Sequence, residues 1–77
     1  MPPHIAAYGD RLNDLLSFRQ IADDPAFNIP VATQYAWARE NRHGFGDLVI
    51  KIGRNSRIRR LNLLLWIESR KAAKGGE

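Results

Sequence analysis

Apolar positions in this chain fall into helix-spaced groups interrupted by one alternating run, and that rhythm predicts most of the architecture. Leu12, Leu15 and Leu16 have helical spacing and predict a short turn of helix that opens the core. Ser17-Phe18-Arg19-Gln20 then reads as a capping box, in which the serine hydroxyl and the glutamine side chain each accept from the other residue's backbone N–H. This predicts a helix from about Phe18 to Asp24 with Phe18, Ile21 and Ala22 turned inward. It must end near Pro25, because proline disfavours helix in the residue before it. Phe27 is placed to plug the connector. Asn28 is expected to cap a second helix, about Ile29 to Asn41, with Pro30 in its first turn and Gly44 stopping it. On that helix Gln34, Trp37, Ala38 and Asn41 share the core side, with Trp37 as the anchor, while Ala32, Tyr35, Ala36 and Arg39 share the other.

From Leu48 to Arg60 the period changes to two. Leu48, Ile50 and Ile52 alternate with Val49 and Lys51 and predict an apolar face that packs; Gly53, Arg54, Asn55 and Ser56 predict a four-residue loop on a type I turn. Arg57, Ile58, Arg59 and Arg60 form the return strand. Arg54 and Arg57 are then expected side by side in solvent. After the hairpin Asn62 can cap a third helix, Leu63 to about Lys71, with Leu61 and Trp66 as its hydrophobic staple. Residues 1–11, with two prolines and a glycine, are expected as a loosely ordered arm. Residues 72–77 are expected as a flexible tail. The 60 residues between them, 12–71, form one domain, mainly α with a small β-hairpin.

Charge changes the picture from architecture to partner. The net charge is +4, but residues 1–38 carry two bases against four acids and residues 39–77 carry ten against four, giving −2 and +6. Seven of those bases, from Arg39 to Arg60, fall within 22 residues. Such clustering points to a polyanion, and because many of the bases sit on a hairpin and not along one helical face, duplex nucleic acid fits better than a membrane surface. The same bases on an edge hairpin could also serve only to prevent edge-to-edge pairing. Cysteine is absent, which excludes disulfides and cysteine-held zinc and fits a reducing, cytoplasmic compartment. No signal-like segment or run of about 18 apolar residues appears.

Two short helices joined by a tight turn, a basic hairpin and a closing helix form the layout of a winged helix-turn-helix. The run Thr33-Gln34-Tyr35-Ala36-Trp37, then Ile50-Lys51-Ile52-Gly53-Arg54, Ile58-Arg59-Arg60 and Leu65-Trp66-Ile67, resembles the small MerR-like winged-helix proteins. The resemblance spans about residues 15–70 and is nearest to the excisionases of phages and mobile elements, also called recombination directionality factors, and to related prophage regulators. It implies that the second helix enters the major groove and the wing the adjacent minor groove. By position Thr33 would bind phosphate, Arg39 would meet base edges, and Lys51 and Arg54, with Asn55 beside them, would make the wing contacts. Charge and geometry add Arg42, Arg57 and Arg59. The chain departs from the pattern at Gln34, in a slot that is often aliphatic, and at Ala32 and Ala36, where longer polar readers are expected; specificity would then lean on DNA shape.

The resemblance further implies cooperative self-association on DNA, bending, and an integrase as partner. A small regulator of transcription is the nearer alternative. A protein-interaction or antitoxin-like module, its hairpin docked on an acidic partner, is the alternative of another class. No catalytic or metal-binding constellation is expected: adjacent Asp23 and Asp24 diverge by about 100° on a helix, and His4 and His43 lack a carboxylate at ligand spacing. The chain is read as a non-enzyme without a cofactor.

Overall fold

The capping box forms as the spacing dictates: the Gln20 N–H donates to Ser17 Oγ at 3.1 Å, and the Ser17 N–H donates to Gln20 Oε1 at 2.8 Å. The computed structural model describes residues 3–75, and the side chains of His4 and of residues 72–75 lie outside that description. The chain runs through helix α1 (Pro3–Ala6), a 3₁₀ turn (Gly9–Asn13), strand β1 (Leu15–Ser17) and helix α2 (Phe18–Asp23). Helix α3 (Val31–Glu40), a second 3₁₀ turn (Arg42–Gly44) and helix α4 (Phe45–Leu48) follow, then strands β2 (Val49–Ile52) and β3 (Asn55–Arg59) and helix α5 (Arg60–Gly75). The fold is mainly helical, with a three-stranded antiparallel sheet in the order β1-β3-β2.

Several expectations change. The segment read as an arm is folded over most of its length, because Ile5 is fully buried in the core and Tyr8 packs against it. Leu15 and Leu16 lie on a strand and not on a turn of helix, since β1 is held as a third strand against β3. Asn28 does not cap α3. It takes a left-handed conformation (φ 52°) after a turn in which Asp24 Oδ1 accepts from the Ala26 N–H at 2.8 Å, and Pro30 occupies the cap position. Helix α3 begins at Val31 and not Ile29 and ends where the spacing predicts, at Asn41, but Asn41 itself (φ 48°) and not Gly44 terminates it; asparagine tolerates this conformation. Helix α5 begins at Arg60, without Asn62 as its cap, and its backbone continues to Gly75 through most of the expected tail. Residues 1, 2, 76 and 77 lie outside the described residues.

The hairpin also differs. Ile52 pairs with Asn55, leaving a two-residue turn of Gly53 and Arg54. Gly53 has φ +63° and Arg54 does not share a positive φ, the pattern of a type II′ turn, which matches the twist of the flanking strands. Register then decides the faces. Leu16, Ile58 and Val49 lie opposite one another across the three strands and point together into the core. Ile50 and Ile52 fall on the other face, and Ile52 is 52% exposed, so the expected packing face of β2 is inverted. The cause is α4: with Leu48 in a helix, the alternation starts at Val49.

The core is continuous, from Ile5 through Leu16, Phe18, Ile21 and Phe27 to Phe45, Ile58, Leu63 and Leu64. Phe45 is its aromatic centre, edge-on to both Trp37 (5.5 Å) and Trp66 (5.2 Å). Trp37 itself is only half-buried and shares the anchoring role. Arg60, expected on the basic return strand, is a core residue. Its side chain is 7% exposed, its guanidinium lies 3.7 Å from Asp14 Oδ2 and 3.6 Å from Asp24 Oδ2, and it stands over the Tyr8 ring at 5.2 Å. Arg60→Ala should lower stability by about 2–3 kcal/mol, less than for a fully enclosed pair because Asp14 keeps much of its hydration. Urea denaturation followed by circular dichroism measures this, and an unchanged midpoint would show that the cluster contributes nothing.

Candidate nucleic-acid interface

Helix α3 is clamped on its inner side by an amide. Gln34 is fully buried, and its Nε2 donates to the carbonyls of Phe18 and Ile29, both at 2.8 Å, which pins the first turns of α3 to the start of α2. An aliphatic side chain in this slot could pack but could not satisfy those two carbonyls. With Gln34 inward, the 100° step of the helix turns Tyr35, Arg39, Ala32 and Ala36 away from the core. Tyr35 is 57% exposed and rests edge-on against Phe18 at 4.8 Å. Arg39 and Ala32 are exposed and Ala36 is half-buried.

The hairpin is brought alongside this face by a close contact at the far end of α3. A Cβ built on Gly46 would stand 2.8 Å from the Ala38 carbonyl and 2.8 Å from Asn41 Oδ1, so only glycine lets α4 approach so near. Asn41 Oδ1 in turn accepts from the Asp47 N–H at 3.2 Å. Strand β2 leaves α4 directly, and the hairpin therefore inherits its position from this contact.

Between helix and hairpin run two adjoining clefts of about 370 and 300 Å³, which share Phe18, Tyr35 and Ser56. The first takes Arg39 from α3 and Lys51 from β2; the second takes Arg54, Asn55 and Arg57 from the hairpin and Arg19 from α2. The lining thus holds five cationic side chains and no carboxylate. Arg19 was not singled out by sequence reasoning, although the capping box already fixes the phase of α2 that turns it outward; it pairs with Asp23 at 3.2 Å in solvent. Arg57 Nη1 donates to the Ser56 carbonyl at 3.0 Å, which steers its guanidinium along the strand.

The remaining expected residues lie elsewhere. Thr33 is half-buried on the opposite flank of α3 from Tyr35. Arg59 is exposed on the outer face of the sheet, beside Leu15 in the register. Arg42 lines a separate groove with Trp37 and Trp66 and pairs with Glu40 at 3.6 Å. The clefts can hold a phosphodiester backbone through their cations and meet bases through Tyr35 and Arg39. Among the described residues no cluster of three or more His, Cys, Asp or Glu could hold a metal ion, and no helix is long and apolar enough to cross a membrane.

Comparison with known proteins gives no match to a family model, to a curated protein or to a solved structure. Gly46→Ala should destabilise the domain by about 1–3 kcal/mol, because the new methyl meets a backbone carbonyl that cannot swing aside. A thermal melt reads the loss. An unchanged melting temperature would mean that the α3–α4 approach is looser than the 2.8 Å separation requires.

Proposed function

We propose that this protein binds double-stranded DNA, with α2, α3 and the β2–β3 hairpin acting as a winged helix-turn-helix. The observation that carries the reading is the lining of the paired clefts, five cations from three elements with no carboxylate among them. A helix of about 10–12 Å diameter fits a major groove of about 12 Å. Helix α3 enters with Tyr35 and Arg39 leading, and the two-residue tip sends Arg54 to the neighbouring minor groove. Arg39 is the long donor on the outward face, flanked by Ala32 and Ala36, so direct base readout is sparse. DNA shape and the width of the minor groove supply the rest of the specificity.

Within that reading the role is accessory: an excisionase, a recombination directionality factor that assembles with further copies, bends DNA and lets an integrase excise a mobile element in the cytoplasm. The layout and the Thr33-to-Trp37, Lys51-to-Arg54 and Leu65-to-Ile67 motifs support it. No reaction is assigned to the chain itself.

Neutralisation of about five phosphates gives log K falling against log salt with a slope near −4 to −5. Arg54→Ala and Arg39→Ala should each weaken binding and flatten the slope by about one. Arg42→Ala, outside the clefts, should leave both unchanged. Fluorescence anisotropy on a labelled duplex measures all three, and absence of duplex binding at low salt removes the reading. The role is tested separately, by recombination with the cognate integrase. Excision should rise when the protein is added; a change in promoter output alone would make it a transcriptional regulator.

A further inference from the structure

On the side of α3 away from the clefts lies a larger groove, of about 500 Å³. Its floor is Trp37, Trp66 and Ile67, and cations stand on two different elements beside it, Arg42 on the second 3₁₀ turn and Arg70 and Lys71 on α5. Trp37 and Tyr35 are two residues apart on α3, so their directions differ by about 160° around the helix axis. A duplex held at Tyr35 and Arg39 leaves this groove open.

Its chemistry is one-sided. Trp66 Nε1 already donates to the His43 carbonyl at 2.9 Å, whereas the Trp37 indole N–H meets no acceptor among the described residues. Among the described residues Arg42 pairs with Glu40 at 3.6 Å and Lys71 with Glu68 at 3.9 Å, surface pairs of the kind that exchange at little cost, while Arg70 stands beside them on α5. The groove therefore offers apolar surface, hydrogen-bond donors and positive charge to whatever enters it. His43, which lines it, holds a left-handed backbone (φ 51°) between Asn41 and Gly44, which are left-handed too. Such strain in a non-glycine residue is sustained only where the surroundings enforce it, and it gathers at binding sites.

Two features choose the ligand class. The indoles touch each other, with centroids 5.7 Å apart and planes tilted by 41°, and so leave no slot for a planar base. Arg70 and Lys71 are consecutive on a helix and diverge by about 100°, which spreads their charge along the groove and does not focus it on one phosphate. We infer that this groove docks an acidic peptide segment of a partner protein, whose aliphatic or aromatic anchor seats on Trp37 and Trp66 while its carboxylates meet Arg42, Arg70 and Lys71. This uses a surface separate from the DNA-binding clefts and stands whether or not the chain binds DNA.

The chain's two tryptophans both line the groove, so its intrinsic fluorescence reports occupancy without a label. The probe is a short synthetic peptide alternating Glu with Phe and Leu, titrated into the full chain; the control replaces each Glu by Gln. The acidic peptide should shift the tryptophan emission saturably, and its affinity should fall with added salt. Arg70→Glu, checked for native circular dichroism, should weaken it by about tenfold through like-charge repulsion. A saturating amount of duplex should leave the titration unchanged. No spectral shift would overturn the proposal, as would equal binding of the Gln peptide or full binding by Arg70→Glu. Displacement of the peptide by duplex, or an equal response to a mononucleotide, would overturn it too and make the groove a nucleic-acid or nucleotide site.

Discussion

The fold turns on one buried guanidinium. Arg60 sits where β3 ends and α5 begins, and its head group reaches Asp14 ahead of β1, Asp24 behind α2 and the ring of Tyr8 in the N-terminal segment. Its backbone N–H donates to the Asp14 carbonyl at 2.9 Å, which continues the β1–β3 contact one step beyond the ladder. Three points between residues 8 and 24 thus meet at one side chain from the C-terminal half of the chain. Its ion-pair distances exceed ordinary hydrogen bonds, and Nε and Nη1 have no hydrogen-bond partner among the described residues. Desolvating such a group offsets much of its Coulombic gain, so the cluster is better suited to fixing arrangement than to adding net stability. The apolar groups on either side, Ile58 before it and Leu63 after it, supply the burial.

That position explains why the hairpin was harder to read than the helices before it. A capping box is local: Ser17 and Gln20 determine each other across three residues, and Phe18 and Ile21 turn inward as the spacing requires. Strand faces are not local. Ile50 and Ile52 look like an inner row until Ile58 is set opposite both Leu16 and Val49, and that register depends on a third strand of only three residues. Leu15 and Leu16 carry no mark that distinguishes a brief strand from a turn of helix. Ile5 is a single apolar residue among prolines and small side chains, and only tertiary contact makes it core.

The charge reading divides in the same way. The cluster of bases between Arg39 and Arg60 is plain in the sequence, but their common direction is not. Arg60 is withdrawn into the core, Arg59 lies on the outer sheet face and Arg42 faces the tryptophan groove, while Arg39, Lys51, Arg54 and Arg57 converge on the clefts and Arg19 joins them from the acidic half of the chain. Strand parity alone does not sort them: Arg57 and Arg59 are two apart on β3 and share a parity, and of the two it is Arg57, nearer the hairpin tip, that lines the second cleft. Parity could be assigned only once the register was known, whereas the phase of α3, with Gln34 toward the core and Tyr35 and Arg39 opposite, is legible in the helical spacing.

Helix α3 therefore separates two surfaces, one cationic and open toward the hairpin, the other aromatic and rimmed by charge toward α5. It is held at both ends, by the Gln34 amide on the Phe18 and Ile29 carbonyls and by the Gly46 approach to the Ala38 carbonyl. Ligands on the two flanks could influence each other by shifting the helix between two positions of differing affinity, or by repulsion between their like charges, which salt screens. A clamp of two short hydrogen bonds and a close backbone contact leaves little room for a second position. Where salt screens that repulsion, occupants of the two surfaces should bind with nearly additive free energies; on the proposed reading of both surfaces, the domain joins DNA to a second protein by holding both at once and not by switching between them.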